Sequence, residues 1–249
     1  MSVYGQFRGV EKPAFSWSLM LHIGIVACST EGAALCYRTI SLEGAQMLGR
    51  HDHPQVSLHS YSLARYMKYA DAGDWAGVAE LMLGSAEKLA STGADFLICP
   101  DNTIHQAFDF VERRSPRPWL HIAREVAKEA HSRQFKRLAV LGTRLLMEGP
   151  VYHEALKAAG IAYHFPGPDE RERMNQIIFD ELVNGRFMPR SLDYYVEAIR
   201  RMKKDEGCDA AVLGCTEIPL LVTPESSPVP VLDSTRILAR AAVRKAVEG

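Results

Sequence analysis

Short apolar runs alternate with longer amphipathic segments from Leu21 to the end of the chain. The apolar runs have the length of buried strands, and apolar positions recur every three or four residues between them. The predicted strands are Leu21–Ala27, Val56–Ser60, Phe96–Cys99, Trp119–Ile122, Leu138–Leu141, Ala162–Phe165, Ala211–Leu213 and Val229–Leu232. The predicted helices are Ala33–Leu48, Trp75–Thr92, Ile122–Arg133, Val151–Ala159, Glu170–Asn184, Ser191–Glu206 and Ser234–Val247. This alternation predicts an α/β fold with parallel sheets and right-handed crossovers.

An internal repeat relates the two halves of the chain. Three pairs of segments align in the same order, at nearly constant offsets of 114, 115 and 112 residues. They are Gly93–Thr103 with Gly207–Glu217, Ile23–Ala27 with Leu138–Gly142, and Arg117–Ile122 with Val229–Ser234. Three matches in register favour duplication of one βα unit.

The repeat predicts two similar lobes related by a pseudo-twofold axis, with the functional site in the cleft between them. We expect an N-terminal extension over residues 1–20, a first lobe over 21–120 and a second lobe over 121–233. The C-terminal helix, residues 234–249, is expected to pack on the first lobe. Loops that follow equivalent strands would then face each other, because ligands bind beyond the carboxyl ends of parallel strands.

Composition and charge exclude several classes of protein. Hydrophobic residues make up 47% and charged residues 24% of the 249 residues, so disorder has no support. The net charge of −1 argues against a broad nucleic-acid-binding face. Five cysteines without CxxC spacing argue against a disulfide framework or a zinc site. The apolar run Leu19–Cys28 is too short to span a bilayer. We expect no targeting or membrane segment, and a cytoplasmic protein.

Asp101 and Cys215 occupy equivalent positions in the repeat, each after a predicted strand and before a predicted helix start. Free backbone N–H groups at such positions favour anions, and this setting lowers the pKa of a thiol. A helix N-cap is the alternative role for Asp101, and a buried structural cysteine is the alternative for Cys215. Their equivalence favours two proton-transferring side chains on opposite sides of a carboxylate substrate.

These residues also carry a resemblance to the aspartate/glutamate racemase superfamily, which runs from about Ile23 to Val247. The motif Gly-Cys215-Thr-Glu matches the superfamily's second catalytic motif, with Cys215 at the catalytic cysteine. The first motif differs, because Asp101-Asn-Thr stands where the superfamily usually has Cys-Asn-Thr. The opening loop, residues 26–32, also differs from the Gly-Gly-Met-type turn of many aspartate racemases. The segments that carry the resemblance are Gly93–His105, Val140–Thr143, Leu213–Leu220 and Val229–Thr235.

The resemblance implies a cofactor-independent amino-acid racemase of the aspartate/glutamate type, without a metal, in which one group removes the α-proton and another reprotonates the opposite face. Asp101 and Cys215 are the implied pair. A homodimer is expected, as is common in the superfamily. The residues expected to hold the substrate carboxylate are Asn102, Thr103 and Thr216, with Ser29, Thr30 and Thr143 as further contacts. Helix capping is the alternative role for these hydroxyls.

Charged residues near these motifs have further expected roles. Arg50 and Arg144 are candidates to bind a side-chain carboxylate of the substrate. Glu148 and Glu217 are candidates to orient neighbouring groups. An ordinary aspartate is a weak base, so Asp101 needs burial or a nearby anion, such as a Cys215 thiolate, to raise its pKa. We therefore expect unequal initial rates in the two directions.

Two other kinds of function remain open from the sequence. Relatives in the superfamily decarboxylate malonate-type acids or isomerise an unsaturated dicarboxylate, and a single cysteine suffices for such reactions. A binding protein for small acids, without catalysis, is the second alternative, and it predicts ligand-induced thermal stabilisation without proton exchange.

Overall fold

A computed structural model of the chain describes residues 20–249. The predicted N-terminal extension lies outside the described residues except for Met20. The first lobe consists, in chain order, of β1 (Ile23–Ala27), α1 (Thr30–Leu48), β2 (Val56–Ser60), α2 (Leu63–Ala70), α3 (Trp75–Ser91), β3 (Phe96–Ile98), a 3₁₀ turn (Thr103–Ala107), α4 (Phe108–Glu112) and β4 (Trp119–Leu120).

The rest of the chain forms a second sheet with its own helices. Its elements are α5 (Ile122–Ser132), β5 (Arg137–Leu141), α6 (Arg144–Glu148), α7 (Pro150–Ala158), β6 (Ala162–His164), α8 (Pro168–Gln176), a π turn (Ile177–Glu181), a 3₁₀ turn (Leu182–Asn184), α9 (Pro189–Glu206), β7 (Ala210–Leu213), α10 (Ile218–Leu221), β8 (Val231–Asp233) and α11 (Ser234–Glu248).

Both sheets are parallel and have the same topology. The strand order is β2-β1-β3-β4 in one sheet and β6-β5-β7-β8 in the other, so each strand of the first has its counterpart in the second. All eight predicted strands are present within residues 20–249, with ends that differ by no more than two residues. The predicted α/β fold with two similar parallel lobes is confirmed.

The repeated sequence around each central strand performs the same local task in both lobes. Gly93 and Gly207 have positive φ angles of 93° and 69°, which glycine adopts without a Cβ penalty. Each is followed two residues later by an aspartate that binds the neighbouring strand. The Asp95 carboxylate accepts the backbone N–H of His22 at 2.7 Å. The Asp209 carboxylate accepts two backbone N–H groups at the start of β5. This local constraint explains why the pattern recurs.

The helices differ from the prediction where segments are short or irregular. Helices α2, α4, α6 and α10 have eight residues or fewer, too few for a helical period to be recognised from sequence. The predicted continuous helix Glu170–Asn184 is wrong. Helix α8 ends at Gln176, and the chain continues through the π turn and a 3₁₀ turn.

Helix α11 packs against α1 and one face of the first sheet. Helices also cover the other face, so β1 is buried along its whole length, as is typical of parallel sheets. No helix within residues 20–249 has the length and apolar character needed to cross a membrane. The residues that join α11 to the first sheet in one buried cluster are Ile23, Ile25, Cys36, Ile40, Phe96, Ile98, Leu238, Ala239, Ala242, Val243 and Ala246.

Candidate active site

A cavity of about 170 Å³ lies where the carboxyl ends of the central strands of the two sheets meet. Loops after β1, β3, β5 and β7 line it, and α2 and the π turn complete its wall. This is the edge at which parallel α/β sheets bind ligands. Of the residues predicted to transfer protons or to hold the substrate carboxylate, seven line the cavity: Ser29, Asp101, Asn102, Thr103, Thr143, Cys215 and Thr216.

Asp101 follows β3 and is half-buried in the cavity wall. Its Oδ1 accepts the backbone N–H of Ile104 at 3.3 Å, so the carboxylate also acts as a local cap. The Asp101 carbonyl accepts the Nδ1–H of His105 at 2.6 Å, and burial lowers the pKa of His105 to about 4. His105 is therefore a neutral, buried support behind Asp101.

Cys28 is a cavity residue to which the sequence assigned no role. It follows β1, is 3% exposed and lines the cavity beside Asp101. Burial raises the pKa of its thiol, and the negative charge of Asp101 adds to that rise. Cys28 is one of four buried cysteines among the five. Only its position directly after a predicted central strand marks it in the sequence, so the signal for a role in the site was weak.

Cys215 follows β7, and its thiol is paired with a second carboxylate. The Sγ donates to Glu217 Oε2 at 2.9 Å, and the same oxygen accepts the Thr216 hydroxyl at 2.7 Å. Thr216 and Glu217 are each 5% exposed, so the carboxylate that accepts the Cys215 S–H bond is buried from solvent. The site therefore contains two pairs of one thiol and one carboxylate.

Burial and charge raise the pKa values of both proposed reacting groups. Burial is the main cause for the Asp101 carboxyl, and the Glu217 charge adds to it, whereas the hydrogen bond from the Ile104 N–H and the neighbouring Cys28 thiol oppose the rise. Burial also raises the pKa of the Cys215 thiol well above its ordinary value, and Glu217 acts in the same direction. The expectation of a lowered thiol pKa is wrong, because a carboxylate accepting the S–H bond disfavours the thiolate. The nearby anion that raises the pKa of Asp101 is Glu217 rather than a Cys215 thiolate.

Replacing Glu217 with glutamine should lower the pKa of the Cys215 thiol. The change removes a negative charge and a carboxylate acceptor, both of which stabilise the neutral thiol. One unit of pKa gives about tenfold more thiolate at neutral pH, so alkylation of Cys215 by iodoacetamide should accelerate by roughly that factor. Peptide mass spectrometry after timed alkylation at several pH values measures it. Glu80→Gln, at an exposed carboxylate paired with Arg114, is the control. An unchanged pH profile in the Glu217 variant would contradict this assignment.

Asn102 joins the first lobe to the rest of the protein. Its side chain is 3% exposed, its Oδ1 accepts the Tyr152 hydroxyl at 2.8 Å, and its Nδ2 donates to Ser234 Oγ at 2.9 Å. Ser234 in turn donates to the Leu213 carbonyl at 3.1 Å. Both ends of the side-chain amide are thus occupied by protein, and the backbone carbonyl accepts the His105 N–H at 3.2 Å, which leaves the backbone N–H to serve a ligand as predicted.

Replacing Asn102 with alanine should destabilise the fold by about 2–4 kcal/mol, because two buried hydrogen bonds are lost and their partners stay buried. Urea unfolding followed by circular dichroism measures the change. Asn184→Ala removes an amide that binds only exposed backbone carbonyls, and we expect a change below about 0.5 kcal/mol there. Equal losses in the two variants would rule out this role for Asn102.

The predicted hydroxyl groups divide into two sets. Thr103 Oγ1 and Thr143 Oγ1 lie 2.9 Å apart and bridge the two lobes at the cavity. Ser29 and Thr143 also cap α1 and α6, so capping and cavity lining coexist in both residues. Thr30 does not line the cavity. It is the exposed first residue of α1, so the structure does not bring it together with the other predicted site residues.

Arg50 also lies away from the cavity and apart from the other predicted site residues. Arg50 is exposed and its Nε donates to His51 Nε2 at 2.9 Å. It precedes β2 and so lies at the amino end of that strand, whereas the cavity forms at the carboxyl ends. Arg144 does line the cavity, but its guanidinium pairs with Glu148 at 3.3 Å and Glu172 at 3.4 Å.

Comparisons with known proteins agree with this geometry. The family model for the Asp/Glu/Hydantoin racemases matches residues 25–242. A crystal structure of a candidate Asp/Glu racemase from Yersinia pestis is 32% identical, with a TM-score of 0.84 over 91% of this chain and 99% of that one. An aspartate racemase homologue from Pyrococcus horikoshii OT3 is 28% identical, with a TM-score of 0.81 over the same shares.

A third similar protein is the broad-specificity amino-acid racemase RacX of Bacillus subtilis. It is 24% identical over 195 residues, which cover 77% of this chain and 82% of that protein. Because the family model spans most of the sequence and the fold agrees, the chain belongs to the Asp/Glu/Hydantoin racemase family.

Proposed function

We propose that the protein is a cofactor-independent amino-acid racemase in which Asp101 and Cys215 are the opposed acid/base groups. One observation carries the proposal. A carboxyl and a thiol at equivalent positions of two duplicated lobes line one cavity, where the charge of Asp101 influences the thiol. Similarity to amino-acid racemases supports the reaction class.

The resting protonation states suit removal of a proton by Asp101. The raised pKa keeps Cys215 as a thiol. Burial also raises the pKa of Asp101, but the hydrogen bond from the Ile104 N–H opposes that rise and favours the carboxylate that the proposal requires. The carboxylate takes the α-proton from one face of the substrate, and the Cys215 S–H gives its proton to the other face. One C–H bond breaks, one forms, and the site is left with a protonated Asp101 and a Cys215 thiolate.

After one turnover, Asp101 is protonated and Cys215 is a thiolate. The enzyme must either return these two groups to their resting states or use them to catalyse the reverse direction. Glu217, at 2.9 Å from Cys215 Sγ, is placed to exchange a proton with that sulfur. Negative charge that builds on the substrate carboxylate during the reaction needs hydrogen-bond donors. The Thr103, Thr143 and Ser29 hydroxyls at the cavity wall are the proposed donors.

The experiment is proton NMR of the purified protein with L- and D-amino acids in D₂O, without added cofactor. We expect loss of the α-proton signal together with loss of optical activity for the substrate. The Cys208→Ser variant, at a buried cysteine before β7 that does not line the cavity, should retain both. No exchange with any amino acid would overturn the proposal.

The homodimer stays a prediction, and light scattering after size-exclusion chromatography checks it.

A further inference from the structure

One wall of the cavity consists of apolar side chains. They come from α2, from the start of α6, and from the π turn with the 3₁₀ turn that follows it. Phe179 and Val183 in this wall are 36% and 38% exposed, so large apolar groups stay open to whatever occupies the cavity. The apolar residues of the wall are Leu63, Met67, Ala70, Leu145, Ile178, Phe179 and Val183.

The π turn places two of these side chains where an uninterrupted helix would not. Single π turns occur within helices mostly at functional sites, because the extra residue displaces the following side chains. Ile178 and Phe179 lie within the turn and both line the cavity. The irregular geometry therefore forms part of the binding wall.

The charges around the cavity are predominantly negative. Asp71, Asp101 and Glu217 line it, and Arg144 is the only lysine or arginine among its described lining residues. The Arg144 guanidinium is already paired with two glutamates that do not line the cavity. Within residues 20–249, no unpaired cation is therefore available at the wall to receive a second substrate carboxylate.

These two features act together on the substrate side chain. A carboxylate against the apolar wall loses its hydration without gaining a partner, and three lining carboxylates repel it. An aliphatic side chain is instead transferred from water to an apolar surface, which is favourable. The same cavity therefore discriminates against dicarboxylates and in favour of aliphatic side chains.

We propose that the substrate is a monocarboxylic amino acid with an apolar side chain, of the leucine or methionine kind, rather than aspartate or glutamate. This inference rests on the proposed racemase function, because only a substrate held between Asp101 and Cys215 places its side chain against this wall. The α-carboxylate then lies at the hydroxyls of the loops, and the side chain extends towards Ile178 and Phe179.

Two matched series of amino acids test the charge and the polarity of the side chain separately. Aspartate, asparagine and leucine have side chains of similar shape, as have glutamate, glutamine and methionine. The readout is the initial rate of α-proton exchange in D₂O, with lysine included as a cationic substrate. One methylene group in an apolar pocket already changes kcat/KM by about tenfold or more. A side-chain carboxylate loses its hydration at the same wall, so leucine and methionine should exceed aspartate and glutamate by at least that factor. Asparagine and glutamine should fall between them.

A cation added to the wall should reverse part of this preference. Val183→Lys introduces an ammonium group at an already exposed position of the wall, and we expect the glutamate-to-methionine ratio of kcat/KM to rise at least about tenfold. Phe187→Lys is the matched control, because Phe187 is 41% exposed and does not line the cavity. The ratio should stay unchanged there.

The outcomes separate this inference from the proposed function. Faster exchange with aspartate, glutamate or lysine than with leucine and methionine would overturn the apolar class while leaving the racemase standing. An unchanged ratio in Val183→Lys, with melting temperature and total activity retained, would show that side chains do not reach this wall. No exchange with any amino acid would end the racemase proposal, and the substrate class would fall with it.

Discussion

Replacement of Cys215 by serine should abolish racemisation while one enantiomer of the substrate still exchanges its α-proton. A serine hydroxyl is a far weaker acid than a thiol, so the face opposite Asp101 is no longer protonated. Loss of one general acid or base lowers the rate by about 10²–10⁴. Asp101 still removes the proton on its own side and returns a deuteron from D₂O to the same face. Chiral chromatography with NMR integration of the α-proton measures inversion and exchange separately.

Cys208→Ser is the control for this variant, since it makes the same chemical change at a buried thiol of the same lobe outside the cavity. It should leave both readouts near those of the unaltered protein. Exchange of both enantiomers at equal rates in the Cys215 variant would show that a single group serves both faces. Retained inversion would remove Cys215 from the mechanism.

The two-lobed fold could be predicted because its determinants are local and repeated. The buried runs after Gly93 and Gly207 are short, apolar and bounded by turn residues, which is the pattern of a central parallel strand. The strand order itself was not predicted, but a duplicated unit repeats its own topology, and the two sheets do have equivalent orders. The meeting of Asp101 and Cys215 at one cavity then followed from the rule that sites form at the carboxyl ends of parallel strands.

The partners of the reacting groups could not be predicted, because they depend on tertiary contacts. Cys28 lies 73 positions before Asp101 in the chain, and nothing local relates the two side chains. Glu217 was a candidate to orient neighbours, but its effect on the Cys215 thiol depends on burial. The sequence indicated a helix start, which lowers a thiol pKa, whereas burial and the carboxylate at 2.9 Å raise it.

Substrate contacts assigned by proximity in sequence were the least secure part of the prediction. Arg50 was chosen as a cation near a predicted strand, but it precedes β2, and only residues after the strands reach the cavity. Thr30 follows β1 and yet turns away as the exposed first residue of α1. The π turn was missed altogether, since the apolar period of Glu170–Asn184 is equally compatible with a regular helix. The wall that bears on the substrate class therefore became visible only in the structure.

Replacement of Asp101 by asparagine should produce the mirror image of the Cys215 variant. Asparagine keeps the shape of the side chain and an oxygen that can accept the Ile104 N–H, but it has no basic carboxylate. Racemisation should fall by about 10²–10⁴. The remaining exchange should affect the opposite enantiomer, because only a Cys215 thiolate is left to remove a proton. That thiolate is scarce at neutral pH, since burial and Glu217 raise the pKa of Cys215.

The pH dependence of the residual exchange distinguishes the two variants. In Asp101→Asn it should rise with pH, because deprotonation of Cys215 creates the base. In Cys215→Ser the residual exchange should level off above the pKa of Asp101, because the carboxylate is then fully formed. Burial raises that pKa above the value of an ordinary aspartate. Asp95→Asn is the control, at a carboxylate that binds the His22 N–H at 2.7 Å on the opposite edge of the first sheet. Identical enantiomer preference and identical pH profiles in the two variants would refute an opposed pair, since each group would then not have a face of its own.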